Sequence, residues 1–92
     1  MIQLYNRDCE EIMQQLISES VQVDCIVVDL PYFQVVKDEF DNQWKDEYEY
    51  LNWVCNVFAT ASYLIKKNSN IIVFCSRQYA RHICNMFEDE ML

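Results

Sequence analysis

Asp29, Leu30, Pro31 and Tyr32 stand together at the end of the apolar run "VDCIVV", and their residue types suit one kind of chemistry. A carboxylate accepts a hydrogen bond from an exocyclic amine, and the backbone carbonyl of Leu30 accepts a second. Pro31 stiffens the turn through its fixed φ. The Tyr32 ring, two residues beyond that carbonyl, offers a flat face for a planar base. Such a set holds an amino group with its lone pair exposed. Methyl transfer to a base amine requires this once the base has left its stack. The plainer reading of the same residues is a strand exit with a proline stop and a half-buried tyrosine. Short motifs match by chance often enough to keep both readings open.

Other polar candidates lie at equivalent places. In an open parallel sheet, ligands bind beyond the carboxyl ends of the strands, and Asp8, Ser76 and Arg77 follow the other strand-like runs. Asp8 and Ser76 are each well placed to cap a helix. Trp44 reads as a loop anchor packing on the domain. His82 is the single histidine and has no second ligand at metal spacing, so it reads as structural. Five cysteines, an odd count without a C-x-x-C pair, suit reduced, buried thiols and a cytoplasmic location better than disulfides or zinc. No signal-peptide pattern or membrane-length apolar run is expected.

Composition narrows the classes further. Ninety-two residues allow one small domain with a thin core. With two Trp, six Tyr and five Phe the chain is globular in character, not disordered. It contains no glycine, so neither a P-loop nor a GxGxxG turn is present. The net charge of -8, with acids grouped at 38–49 and 88–90, argues against a phosphate-binding footprint on this stretch. Both acidic runs read as solvated surface.

The elements that must position these residues follow from periodicity. Residues 2–5 form a short strand candidate, and Asp8 opens a helix over about 9–16 with Ile12, Met13 and Leu16 on one face. Residues 24–29 are continuous and β-branched, as in a strand buried on both faces. Residues 33–45 lack a clean period and read as a long loop. From about 46 to 67, Leu51, Val54, Cys55, Phe58, Ala61, Ser62 and Ile65 recur at helical spacing. "KKNSN" then ends that helix with lysines in its last turn. Residues 70–75 are a second buried strand. Ser76 opens a final helix with the stripe Ala80, Ile83, Cys84 and Phe87. Strand and helix alternate three times, which predicts an α/β domain whose strands 23–28 and 71–75 are parallel neighbours.

With these elements in place, "DLPY" resembles the Asp-Pro-Pro-Tyr motif of the DNA amino-methyltransferases, which methylate adenine at N6 or cytosine at N4. The likeness is wider than four letters. "YNRDCEEIMQQL" is similar to the family's opening Gly-Asp-Cys strand, turn and helix. "FDNQWKDEYEYLNWV" resembles its aspartate-asparagine-tryptophan loop, and "LIKKNSNIIVFCSRQ" its Leu-Lys-Pro-Gly helix end and following strand. Essentially all 92 residues align in kind with the amino-terminal part of such enzymes.

The resemblance implies a partial doubly wound, Rossmann-like sheet with flanking helices, spanning 1–92 as one partial catalytic domain. It implies S-adenosylmethionine as cofactor, DNA as substrate, and no metal. Asp29, Leu30, Pro31 and Tyr32 would be the catalytic set, with Asp8 touching the cofactor's adenosine. Two departures stand out: Leu30 replaces a proline, and glycines give way to Arg7 and to Asn68-Ser69-Asn70. Leu30 keeps its acceptor carbonyl, so Leu30→Pro is expected to be neutral or mildly favourable. The glycine-rich cofactor turn and a target-recognition region are absent from these residues. The expected product is therefore an amino-terminal fragment inactive alone, completed by a carboxyl-terminal half. The other readings are a non-catalytic binding module of the same ancestry and an acidic DNA mimic. The mimic would need carboxylates spaced like phosphates along one face, and these acids cluster in one loop and one terminus.

Overall fold

A computed structural model describes residues 2–34, 37, 39 and 42–91, with the backbone alone for 87 and 89–91. Its elements run α1 (Cys9–Ser18), β1 (Val23–Asp29), α2 (Glu47–Ala61), β2 (Ile65–Phe74), a 3-10 turn (Arg77–Tyr79) and α3 (Ala80–Met91). The chain is α/β, and β1 and β2 pair in parallel, as the sequence predicts.

Helix starts follow local chemistry. The Asp8 carboxylate accepts from the Glu10 N–H, and the Asp46 carboxylate accepts from the Glu49 N–H at 2.9 Å, each satisfying an orphan donor of a first turn. Glutamates in both first turns complement the dipole. Ile12 is the buried residue of α1, whereas α2 buries Tyr50, Val54, Val57, Phe58 and Ala61. Of these, Tyr50, Val54 and Phe58 form the core cluster together with Leu30, Phe33, Trp44, Tyr79 and Ile83.

Several expectations change. Residues 2–5 are not a strand, and among the described residues the sheet has two strands. Ile2 and Leu4 point into solvent, because neither edge of this sheet takes them up. The helix expected to reach residue 67 stops at Ala61, and Ile65 already pairs with Val23. Lys66 and Lys67 therefore belong to β2, not to a helix end. The apolar spacing runs on past the turn because Leu64 is buried there at the loop, so the period could not mark the boundary.

The register also breaks once. Val23 faces Ile65 and Cys25 faces Asn70, so the β2 side bulges between them. Asn68 carries the bulge at φ 64°, a left-handed conformation that asparagine tolerates better than most residues. It serves where the resembling family has a glycine nearby. Arg7, at the other departure, needs no positive φ. Lys66 closes the bulge by pairing with Asp24 at 2.9 Å.

Neither strand is buried on both faces. In β1, Ile26 and Val28 are half-buried while Cys25, Val27 and Asp29 are exposed. Val28 and Val73 pack on the core from opposite positions in the register. The helical layer covers that face alone. The expected burial of the cysteines is not reached: Cys9, Cys25 and Cys84 are exposed, and Cys55 and Cys75 are half-buried, with Cys75 packed against the core. On α3, Ile83 is buried, whereas Ala80 and Cys84 face solvent. The side chain of Phe87, and residues 35, 36, 38, 40 and 41 of the expected loop, lie outside the described residues.

Candidate active site

The motif begins where β1 ends. Asp29 pairs with Phe74 in register, and the Leu30 N–H donates to the Phe74 carbonyl at 3.0 Å, extending the parallel ladder by one bond. The Leu30 side chain is 3% exposed and packs in the aromatic core. A proline here would lose both the N–H and that packing, so the expectation for Leu30→Pro reverses. The Leu30 carbonyl belongs to the next peptide, the one shared with Pro31.

A cavity of about 550 Å³ opens beside this strand end. Asp8, Asp29, Leu30 and Pro31 line it together, joined by Gln43 and Trp53. Four of the five residues singled out in the sequence thus meet in one place. Tyr32 does not line this cavity; it is half-buried beyond Pro31. Three consecutive residues, Ile26, Val27 and Val28, also form part of the wall. Successive strand residues point to opposite faces, so the cavity runs along the free edge of β1 and not over one face of the sheet.

The carboxylates differ in how they are held. Asp8 is exposed and occupied by its cap at 2.8 Å. Asp29 is exposed at the strand terminus. Arg7, at the cavity rim, lies 3.5 Å from Glu11 and donates to Gln15, and so is directed along α1. Partial burial pushes the Cys9 thiol up from its ordinary value of 9.0, and the Asp8 and Glu10 carboxylates push the same way. The thiolate form of Cys9, which lines the cavity, is thereby disfavoured.

Tyr32 is held by the segment around it. The Tyr50 hydroxyl donates to the Pro31 carbonyl at 2.8 Å in a buried contact. Phe33 is 2% exposed and stacks on Tyr50 at 5.2 Å. The Gln34 N–H donates to the Asn42 side chain at 2.8 Å, and the Tyr79 hydroxyl donates to the Gln34 side-chain oxygen at 3.0 Å. Trp44 is buried and meets Tyr50 edge-on at 5.0 Å, which is the anchoring role its sequence position suggests.

Ser76 and Arg77 stand apart from the cavity. Ser76 precedes the 3-10 turn without a side-chain cap, and its buried hydroxyl has no partner among the described residues. Arg77 and His82 are exposed, and no metal-binding cluster occurs among the described residues. Trp53, Tyr50 and Tyr79 went unnoticed as site residues. Trp53 donates from its indole to Glu10 at 2.7 Å, tying α2 to α1 beside the cavity. Nothing local marks these three, since their partners lie 19 to 45 residues away.

No curated protein and no solved structure matches the chain. One family model does, over residues 23–91, and its description is DNA methylase. That span starts at β1, takes in the motif and ends in α3. It covers most of the sequence, and the chain belongs to the N6/N4 DNA methylase family.

Proposed function

We propose that these residues form the amine-binding part of a DNA methyltransferase acting on the exocyclic amino group of adenine or cytosine, in a doubly wound catalytic domain. The observation that carries this reading is the cavity shared by Asp8 and the Asp29-Leu30-Pro31 strand end. An extruded base presenting its amine there would donate one hydrogen to Asp29 and one to the Leu30 carbonyl. Both acceptors sit on the last pleat of a hydrogen-bonded strand, so they are fixed before substrate arrives. Asp29 is solvent-exposed at the strand end, open to an incoming donor.

Family membership implies S-adenosylmethionine as methyl donor. The cavity suits an adenosine, with Asp8 for its polar groups and Trp53 for its ring. The methionine end does not fit, because a chain without glycine offers no turn whose backbone approaches it closely. We therefore assign this chain no transfer step of its own, and place the remainder of the cofactor site in another polypeptide segment.

Calorimetry of the chain with S-adenosylmethionine should give no isotherm tighter than about 10 μM. Adding a polypeptide that carries the family's glycine-rich motif should restore methylation of duplex DNA at an amino nitrogen. Asp29→Ala should then lower the rate about a hundredfold or more. Near-normal turnover by that variant would remove Asp29 from the role.

A further inference from the structure

We infer that Tyr50 and Tyr79 are positioning residues for Tyr32, holding the chain at the Pro31 carbonyl before it and at the Gln34 side chain after it so that its ring is preset for a planar base. This rests on the proposed stacking role of Tyr32. Both tyrosines are almost wholly enclosed, at 0% and 1% exposure. A buried hydroxyl costs free energy unless it is bonded, and phenylalanine would fill the same space without that cost. Each hydroxyl instead reaches the same four-residue segment. Tyr50 fixes the Pro31 carbonyl just before Tyr32. Tyr79 fixes the Gln34 side chain just after Phe33.

Between these two points the backbone has little freedom left. Phe33 is locked among the rings of Tyr50, Tyr79 and Trp44 at 5.2, 6.4 and 6.0 Å. Gln34 turns the chain at φ 64°, and its N–H is taken by Asn42. Tyr32 is thereby held through the segment on either side, and its half-buried ring leaves the backbone in a fixed direction. The arrangement also addresses the departure at Leu30. A second proline would have stiffened the turn through the unfolded chain, and the two hydroxyls stiffen it from outside.

The test uses the 92-residue chain and reads no activity, so failure of the methyltransferase reading and failure of this one are separable. Side-chain couplings of Tyr32 and amide exchange at Tyr32 and Phe33 are measured by NMR. The wild type should show one Tyr32 rotamer. Tyr50→Phe and Tyr79→Phe should each give averaged couplings, with exchange at Tyr32 and Phe33 rising roughly fivefold to tenfold more than at Val54. Replacing Tyr50 by 3-fluorotyrosine, which keeps the hydroxyl, should restore the single rotamer. Unchanged couplings in the folded variants would overturn the proposal, as would an equal rise in exchange at Val54, which signals general loosening. Tyr48→Phe, at an exposed tyrosine of the same helix, should change nothing.

Discussion

The two faces of the β1–β2 sheet are built from the same kinds of residue and have different surroundings. On the covered face Val28 and Val73 meet Val54, Phe58 and Ile83 from the helices. On the other, Val27 is 63%, Ile72 49% and Phe74 55% exposed, and among the described residues no helix of the core covers them. Val27 and Ile72 are direct partners in the register, as are Val28 and Val73. A β-branched run selects the strand conformation whichever layer lies beside it. Covering a face is a separate decision made by the helices, and here α2 and α3 make it for one side.

The sharpest test of that contrast is Phe58→Ala, which empties a fully enclosed site on the covered side. It should cost about 3–5 kcal/mol, a large part of the stability of a domain this size, and denaturant titration should show the chain mostly unfolded or near its midpoint in water. Leu30→Pro comes next. Losing the Phe74 ladder bond and the buried side chain should cost about 2–3 kcal/mol by the same titration. A neutral result would mean that the motif tolerates the family's first proline after all.

Asp46→Ala removes the cap that starts the covering helix and should cost about 1 kcal/mol, visible as a lower melting temperature. The covered side should also sense alkali. Burial, and then the Glu47 carboxylate, raise the Tyr79 hydroxyl above its ordinary value of 10.0. The folded state then holds this proton more tightly than the unfolded one. Stability is full below pH 10 and falls as pH climbs from there through the raised value. Tyr79→Phe should flatten that part of the pH profile. Smallest of all, Val27→Thr on the open face should shift the denaturant midpoint by the equivalent of about 0.5 kcal/mol or less. A core-sized penalty there would show that the two faces are not so different.

Much of the site was legible before the fold. A carboxylate, a proline and an aromatic ring at the end of an apolar run mark a strand exit by local chemistry alone, and the structure gathers Asp8 beside the carboxylate and the proline, with Tyr32 outside the cavity. The parallel pairing followed from a helix lying between two strands. The error at residues 62–70 has a local cause: Ile65 falls on the helical period, so periodicity carried the helix through a turn that Leu64 anchors. Residues 2–5 alternate like a strand, yet a strand exists only beside another, and no sequence pattern supplies the neighbour. The Tyr50 and Tyr79 bonds were out of reach for a different reason. They join residues far apart in the chain, and a tyrosine on a helix face shows nothing of where its hydroxyl will point.

The open sheet face has a consequence for the chain as a colloid. Dissolved copies carry -8 apiece, and this mutual repulsion opposes the attraction between uncovered apolar strands and unpaired strand edges. Salt shortens the range of that repulsion to about 8 Å at physiological strength, and acid removes it as the carboxylates take up protons. Turbidity should therefore rise with salt and on acidification at fixed concentration, well before the helices melt. The acidic surface then works as a solubiliser for a sheet with one face left open.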